Sequence, residues 1–160
     1  MHKTRIDLDK KVRKTVIGML ASRLADSQDL FYQIKQAHWA VRGPGFISHH
    51  ELFDKVAGEV EGYMDDLAER IGQLGGMVDG TIAGAAKGTS LTAYKAELVD
   101  GGAHLAAVAD ALAEFGARVR ADIDKAAAAG DAGSADLLTE ISRGVDKSLW
   151  FVEAHLQAEK

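Results

Sequence analysis

Side chains that can bind a metal ion concentrate where two helical patterns meet. The stretch QAHWAVRGPGFISHHELFD, residues 36–54, holds three of the six histidines, one of the two tryptophans and the only proline. His38, His50 and Asp54 lie in this stretch, and Asp65 and Glu69 follow it. His50/Asp54 and Asp65/Glu69 are both spaced i, i+4, so the two side chains of each pair can reach one ion from a single helix. Imidazole and carboxylate ligands together suit iron or another first-row transition metal.

Four long segments repeat apolar residues with the period of an amphipathic helix. Glycine, proline and small polar residues interrupt these patterns and predict where each helix begins and ends. The first predicted helix runs from about Asp7 to His38. The second starts at a Ser48/Glu51 capping box and ends at Gly75-Gly76. Gly130 closes the third helix, and Ser134 caps the fourth.

The lengths of the connections predict the topology. The first and last connections are short, whereas the segment between the second and third helices is long and contains a short helix predicted near Leu91–Val99. The second helix spans about 40 Å, which this segment is long enough to retrace. We therefore predict an all-α fold, a ferritin-like four-helix bundle with a long crossover that carries a short extra helix, as one domain over residues 1–160. An up-down-up-down bundle is the alternative.

Composition and charge exclude several classes of function. The 160 residues include no cysteine, which excludes disulfides, thiol catalysis and zinc-thiolate sites. A formal net charge of -5 argues against a surface that binds nucleic acid all over, although a local basic patch is compatible with it. The sequence has no GxGxxG loop, P-loop or CxxC motif, and it has no apolar run long enough for a signal peptide or a membrane span. We expect a cytoplasmic protein.

The second predicted helix separates apolar from polar residues. At 100° per residue its apolar residues form one stripe, whereas both candidate metal-binding pairs fall in a different sector about 100° wide. A solvated acidic face is the simpler interpretation of any one such pair. However, Gly58, Gly62 and Gly72 lie in the same sector, and a glycine inside an exposed helix costs about 1 kcal/mol relative to alanine. These glycines indicate that another backbone approaches closely.

Two copies of this helix are needed to complete a metal site. The two pairs lie about 22 Å apart along the helix, so a single chain cannot bring both to one ion. A second copy packed antiparallel across Gly58 and Gly62 would place His50 and Asp54 opposite the Asp65/Glu69 pair of its partner. A closed two-fold interface would then contain two equivalent sites. His38, near the start of the second helix, would complete the ligand set; the alternative is a core histidine.

Four motifs carry a resemblance to a known family. The segments KQAHW, HELFD, MDDLAERIGQLGG and DKSLWFVEAHL resemble, in this order, motifs of the Dps family, the miniferritins that protect DNA in starved bacteria. The resemblance runs from about residue 7 to the C-terminus. It implies a hollow dodecamer with ferroxidase sites at its two-fold interfaces, where Fe(II) is oxidised, preferentially by hydrogen peroxide, and is stored as ferric mineral.

The resemblance also assigns roles to individual residues. It implies that His38, His50 and Asp54 come from one protomer, and that Asp65 and Glu69 come from its partner. His38 with the two partner carboxylates resembles the family's tighter iron position, and His50 with Asp54 the weaker one. By the same resemblance Trp39 lies beside the site, as a packing residue or as an electron donor. Asp131 and Asp136 are acidic residues at the last connection, and two roles are open for them: lining a three-fold pore, or solvation and the start of a helix.

The chain departs from the family's best-known members at its N-terminus, which lacks a long lysine-rich tail. Direct DNA binding therefore stays open, and two alternative functions remain. One is an iron-storage oligomer with little redox activity, and the other is a metal-free helical oligomer that compacts DNA. Asp7 and Asp9 reduce the positive charge of the N-terminal region. The basic residues available there for phosphate contacts are Lys3, Arg5, Lys10, Lys11, Arg13 and Lys14.

Overall fold

The computed structural model of the chain describes residues 1–157, and five α-helices account for most of them. The helices are α1 (Lys10–Ala40), α2 (Phe46–Gln73), α3 (Ile82–Gly88), α4 (Gly101–Ala129) and α5 (Ala132–Ala154). Outside these helices, the only regular pairing in residues 1–157 is an isolated parallel bridge between Arg42 and Asp100. The predicted all-α class is confirmed. None of the described helices combines the length and apolar character needed to cross a membrane.

The packing of the four long helices identifies the topology. α1 packs along α2, and α4 packs along α5. The two hairpins meet chiefly through α1 with α4 and through α2 with α5, whereas α2 and α4 lie diagonally and scarcely touch. Successive helices would be neighbours in an up-down-up-down bundle, so that alternative is excluded. Residues 74–100 form the predicted crossover, and its helix α3 packs on α1.

The apolar stripe predicted for α2 forms part of the bundle core. Its six innermost side chains are at most 1% exposed. Because these residues occupy one sector of the helix, the opposite sector, which carries the candidate metal-binding pairs, faces outward from the bundle. The six residues are Phe53, Val56, Val60, Leu67, Ile71 and Leu74.

The short crossover helix was predicted at the wrong place. It lies at Ile82–Gly88, where Thr81 caps it by accepting a hydrogen bond of 3.0 Å from Gly84 N. The segment 91–99 is not helical. Polar side chains of the long helices bind its backbone instead, since Thr92 N donates to Glu114 at 2.9 Å and Gln33 donates to the Thr92 carbonyl at 3.1 Å. Tertiary hydrogen bonds therefore replace the helical ones expected from the sequence.

Two predicted helix caps were also wrong. α2 begins after Gly45, whose φ of 78° is left-handed, and the Ser48 hydroxyl lies inside the first turn and donates to the Gly45 carbonyl at 2.8 Å. α5 begins after Asp131, whose carboxylate accepts a hydrogen bond of 2.9 Å from Ser134 N. Ser134 is thus the capped residue rather than the cap. Gly130 closes α4 in a left-handed conformation, as predicted.

The N-terminal residues fold back over the end of α2. His2 N donates to the Gly75 carbonyl at 2.6 Å. The guanidinium of Arg13 donates to the carbonyls of Leu8 at 3.1 Å and Leu74 at 3.0 Å. These bonds attach the first residues to the bundle, and α1 starts at Lys10, three residues later than predicted.

Candidate metal centre

His38 and His50 face each other across the turn between α1 and α2. Their rings stack with centroids 3.7 Å apart and an interplanar angle of 21°. His38 Nδ1 lies 2.8 Å from the carbonyl oxygen of His50, and His50 Nδ1 lies 2.9 Å from that of His38. Because a carbonyl oxygen only accepts hydrogen bonds, both Nδ1 atoms carry the proton. In its neutral form each ring then has its lone pair on Nε2, where a metal ion would bind.

The turn that brings the two imidazoles together depends on glycine. Gly43 and Gly45 have φ values of 97° and 78°, a region that residues with a Cβ rarely adopt. Arg42 N donates to the Val99 carbonyl at 3.1 Å, which ties the turn to the end of the crossover. Backbone geometry thus fixes the distance between the end of α1 and the start of α2.

Asp54 lies one turn beyond His50 on α2 and is already paired with a cation. Lys35 Nζ donates to Asp54 Oδ1 at 2.7 Å, and the same oxygen is 3.9 Å from His38 Nε2. The hydrogen bond from Lys35 is the main cause that lowers the pKa of Asp54, and the positive charge of Lys35 adds to it. The carboxylate is therefore ionised at neutral pH, and a metal ion would have to compete with Lys35 for it.

Lys35 is a residue of the candidate metal centre that the sequence motifs did not identify. It precedes His38 by three residues and Trp39 by four, a spacing that puts all three on one face of α1. Its Nζ also lies 5.5 Å from the centroid of the Trp39 ring. Helical spacing was therefore a signal that could have found it.

Asp65 and Glu69 lie one turn apart, near the other end of α2. Both are exposed, and within residues 1–157 neither side chain makes a hydrogen bond or an ion pair. They lie about 22 Å along the helix from the His50/Asp54 pair. The structure thus brings His38, His50 and Asp54 together but leaves the two acids apart from them. No three or more His, Asp or Glu side chains among the described residues are arranged to hold an ion.

A shallow depression lies on the outer face of α2 between the His50/Asp54 pair and the Asp65/Glu69 pair, which are the two half-sites of the candidate metal centre. Gly58 and Gly62 are exposed there, and a Cβ built on either would have no neighbouring atom within 4 Å. The chain itself therefore does not require glycine at these positions. The depression has a volume of about 490 Å³ and is lined by Leu24, Gln28, Gly58, Glu61, Gly62, Met64, Asp65, Ala68 and Gly80.

Exposed apolar side chains surround the imidazole end of this face. Trp39 is 64% exposed, Ile47 is 59% exposed and Phe46 is 40% exposed. The Phe46 ring centroid lies 5.1 Å from that of His50. Clustered exposed apolar residues are typical of a surface that another protein covers.

The two acidic residues proposed for a pore differ in their surroundings. Asp131 is 1% exposed and accepts hydrogen bonds from Ser134 N and, at 2.8 Å, from Arg70 Nη2. Burial by itself would raise the pKa of Asp131, but the hydrogen bonds from Ser134 and the charge of Arg70 outweigh it and lower the pKa. Asp131 therefore serves to start α5, whereas Asp136 is exposed.

Comparison with known proteins places this geometry in a class and then in a family. A sequence model of the ferritin-like domain matches residues 17–160. The fold and the match together define a ferritin-like protein. The chain is 42% identical over 156 residues to the DNA protection during starvation protein of Agrobacterium fabrum, covering 98% of this chain and 96% of that protein. It belongs to the Dps family, as its sequence motifs predicted.

Solved structures agree with this assignment. The Dps of Mycobacterium smegmatis in its tetragonal form superposes with a TM-score of 0.93 at 34% identity, covering 99% of this chain and 95% of the other. DpsC from Streptomyces coelicolor superposes with a TM-score of 0.93 at 28% identity, covering 99% and 92%. The ferritin-like bundle with its crossover is thus the fold of these relatives.

Proposed function

We propose that this protein is a ferroxidase miniferritin, which oxidises Fe(II) at sites shared between two chains and stores the product as ferric mineral inside a dodecamer. The observation that carries this proposal is the division of the ligands on α2. Two imidazoles whose Nδ1 atoms are bonded to backbone carbonyls lie at one end, and two carboxylates without partners in residues 1–157 lie near the other. Membership of the Dps family supports the same interpretation.

The proposed site forms when two copies of α2 cross in antiparallel orientation. Gly58 and Gly62 lie at the crossing point, because open space above them admits a second helix. His38, His50 and Asp54 of one chain then face Asp65 and Glu69 of its partner. The two-fold symmetry repeats the site, so each pair of chains holds two. Within each site, His38 with the partner carboxylates binds iron more tightly than His50 with Asp54, because Lys35 occupies Asp54.

The ligand set suits both oxidation states of iron, which is the substrate. Neutral imidazoles and carboxylates bind Fe(II), and carboxylates also suit the harder Fe(III) product. Two Fe(II) ions each lose one electron, and one hydrogen peroxide molecule takes up both electrons and two protons from water, so that its O–O bond breaks and two water molecules form. This reaction removes Fe(II) and peroxide together and so prevents their reaction to hydroxyl radicals.

Protection of DNA in this proposal requires no DNA complex. The N-terminal residues are attached to the end of α2 through His2 and Arg13, and the formal net charge of each chain is -5. Both features oppose strong binding to phosphates. We propose that the protein acts in the cytoplasm, by lowering the concentrations of the two reactants near DNA.

The test is the variant Asp65→Ala/Glu69→Ala, assayed for oxidation of limiting Fe(II) by hydrogen peroxide. We expect rapid oxidation to be abolished while the oligomer stays folded, because both carboxylates are exposed and stabilise no neighbour in residues 1–157. The matched control is Asp66→Ala/Glu140→Ala, which removes two other exposed acids and should oxidise iron normally.

Wild-type rates in Asp65→Ala/Glu69→Ala would contradict the assigned centre. The same assay separates the proposal from an iron store with little redox activity. A ferroxidase consumes one hydrogen peroxide for every two Fe(II) ions that disappear and does so faster than a control without protein, whereas a passive store does not.

A further inference from the structure

A tyrosine and a buried histidine form a hydrogen-bonded pair outside the proposed iron site. Tyr94 lies in the non-helical part of the crossover, and His104 lies in the first turn of α4. Tyr94 Oη is 2.5 Å from His104 Nδ1, and the rings are nearly parallel, with an interplanar angle of 14°. His104 is completely buried, whereas Tyr94 is half-buried. Neither residue has a part in the proposed ferroxidase site.

The surroundings of the pair determine which group donates the hydrogen bond. Burial is the main cause that lowers the pKa of His104, so its ring is neutral and carries one proton at neutral pH. Burial also raises the pKa of Tyr94 to about 12, so the phenol keeps its proton. The Leu98 backbone favours a proton on the imidazole, and the buried Nε2 has no hydrogen-bond partner within residues 1–157. In the tautomer that carries its proton on Nε2, the Nδ1 lone pair accepts the phenol O–H.

This arrangement is the one that makes a phenol easy to oxidise reversibly. A phenol that loses an electron becomes a strong acid, and its proton must leave with the electron for the radical to be stable. An imidazole lone pair already hydrogen-bonded to the O–H accepts that proton without movement of either residue. Burial disfavours the imidazolium that results, and the Leu98 backbone and the Asp100 carboxylate offset part of that cost.

We propose that Tyr94 and His104 form a proton-coupled redox pair that captures one-electron oxidants, in particular hydroxyl radicals that escape iron oxidation. The Tyr94 O–H bond breaks, its electron reduces the hydroxyl radical to hydroxide, and its proton moves to His104 Nδ1. The products are a neutral Tyr94 phenoxyl radical, a His104 imidazolium and hydroxide. Atoms and charge balance in this step.

The pair returns to its starting state at the expense of Fe(II). One Fe(II) gives an electron to the Tyr94 radical and becomes Fe(III), and His104 returns the proton to the phenoxyl oxygen. Together the two steps convert one hydroxyl radical and one Fe(II) into one hydroxide and one Fe(III). The redox property of the pair is independent of the iron site, but its use as a radical trap rests on the proposed function.

Tyr63 provides a matched control within the same chain. It is also half-buried, and burial together with the charge of Glu59 raises its pKa to about 12 as well. However, its hydroxyl makes no hydrogen bond within residues 1–157 and packs against Gly144. A comparison of Tyr94→Phe with Tyr63→Phe therefore isolates the effect of the imidazole partner.

The experiment has two arms, which share the readout of electron paramagnetic resonance on freeze-quenched samples. In the first, azide radicals from pulse radiolysis oxidise the iron-free full-length protein. In the second, limiting Fe(II) reacts with hydrogen peroxide. We expect a tyrosyl signal in both arms for the wild type and for Tyr63→Phe, and its loss in Tyr94→Phe, which should still oxidise iron at the normal rate. The wild-type radical should also form more slowly in D₂O, because a proton moves with the electron.

The variant His104→Gln tests the proton acceptor. We expect its tyrosyl signal to shift in g value and to decay faster, whereas a merely structural role for His104 would change neither property. A tyrosyl signal that persists in Tyr94→Phe, or that disappears in Tyr63→Phe, would overturn the inference even where His104→Gln does not fold. A normal azide arm in a wild-type protein that fails to oxidise Fe(II) would overturn the proposed function alone.

Discussion

At the scale of single residues, backbone carbonyls at the end of α1 and the start of α2 hold His38 and His50 in the orientation that the proposed metal site needs. His38 and His50 each donate Nδ1–H to the carbonyl of the other, at 2.8 and 2.9 Å. This reciprocal bonding fixes the tautomer and the orientation of both rings before a metal ion arrives. The sequence predicted the two imidazoles and their proximity. It did not predict the reciprocal bonds, because they depend on the conformation of the glycine-containing turn rather than on residue type.

Lys35 provides a prediction at this scale. Its ammonium group donates to the Asp54 carboxylate at 2.7 Å, so in the proposed site it would compete with a second metal ion for that carboxylate. In Lys35→Gln we expect severalfold tighter binding at the weaker of the two metal positions and little change at the tighter one. Anaerobic calorimetric titration with Fe(II) measures both. The control is Lys55→Gln, which removes a neighbouring exposed lysine that lies over the Phe151 ring instead. Unchanged or weaker binding in Lys35→Gln would show that Lys35 is no competitor.

Asp131 provides a second prediction, which depends on pH. Its carboxylate holds Ser134 N and Arg70, and its pKa is lowered in the folded chain. A lowered pKa stabilises the fold above the unfolded value of about 4, and this stability is lost as the pH falls through the folded value. We expect Asp131→Asn to be less stable than the wild type by about 2 kcal/mol at pH 7, because a charged hydrogen-bond partner is lost.

Thermal unfolding at a series of pH values measures this difference. The gap between the wild type and Asp131→Asn should stay constant from pH 7 to about pH 4 and should close below it, as the wild-type carboxylate becomes protonated. Asp136→Asn, which alters an exposed acid on the same helix, is the control and should match the wild type. A gap that does not change with pH would mean that the Asp131 charge is not what stabilises the start of α5.

At the scale of the helices, α2 has two separate tasks. One sector fills the bundle core, and the opposite sector carries both half-sites and a depression around Gly58 and Gly62. The period of apolar residues predicted this division correctly, because burial of a helix follows a simple geometric repeat. The caps at Ser48 and Ser134 and the short helix at Leu91–Val99 were predicted wrongly. In each case contacts with residues distant in sequence, or a left-handed glycine, decided the local structure.

The depression on α2 provides a prediction for this scale. Gly62→Trp would fill the space that a second helix requires, although the chain itself has no atom within 4 Å of a Cβ there. We expect a folded protein that no longer forms the two-fold unit and no longer oxidises Fe(II). Gly62→Ala is the control, since it keeps the surface small and should make the isolated helix more stable by about 1 kcal/mol.

Sedimentation velocity and the peroxide-driven oxidation assay, run on both Gly62 variants, decide the question. Wild-type assembly with wild-type oxidation in Gly62→Trp would place the crossing point elsewhere. Loss of assembly in Gly62→Ala would show that even a methyl group is too large, which would make the helix contact closer than the proposal requires.

At the scale of the whole molecule, the central claim is that neither chain holds a complete site. Within residues 1–157 no group of three or more His, Asp or Glu side chains is arranged to bind an ion. The sequence predicted this division from the distance of about 22 Å between the pairs on a straight helix. The two-fold pairing was predicted from helix geometry, whereas the number of chains in the whole assembly comes from the family resemblance, because larger assembly depends on surfaces that one sequence does not identify.

Subunit complementation tests this claim most directly. Two variants, His38→Ala/His50→Ala and Asp65→Ala/Glu69→Ala, should each be inactive in peroxide-driven oxidation of Fe(II). When the two are unfolded together and reassembled, mixed pairs of chains contain one site with every ligand intact and one site that keeps only Asp54. Random pairing with two sites in each interface then restores about a quarter of the wild-type activity. Reassembled mixtures that stay as inactive as either variant alone would mean that each site belongs to a single chain and would contradict the account.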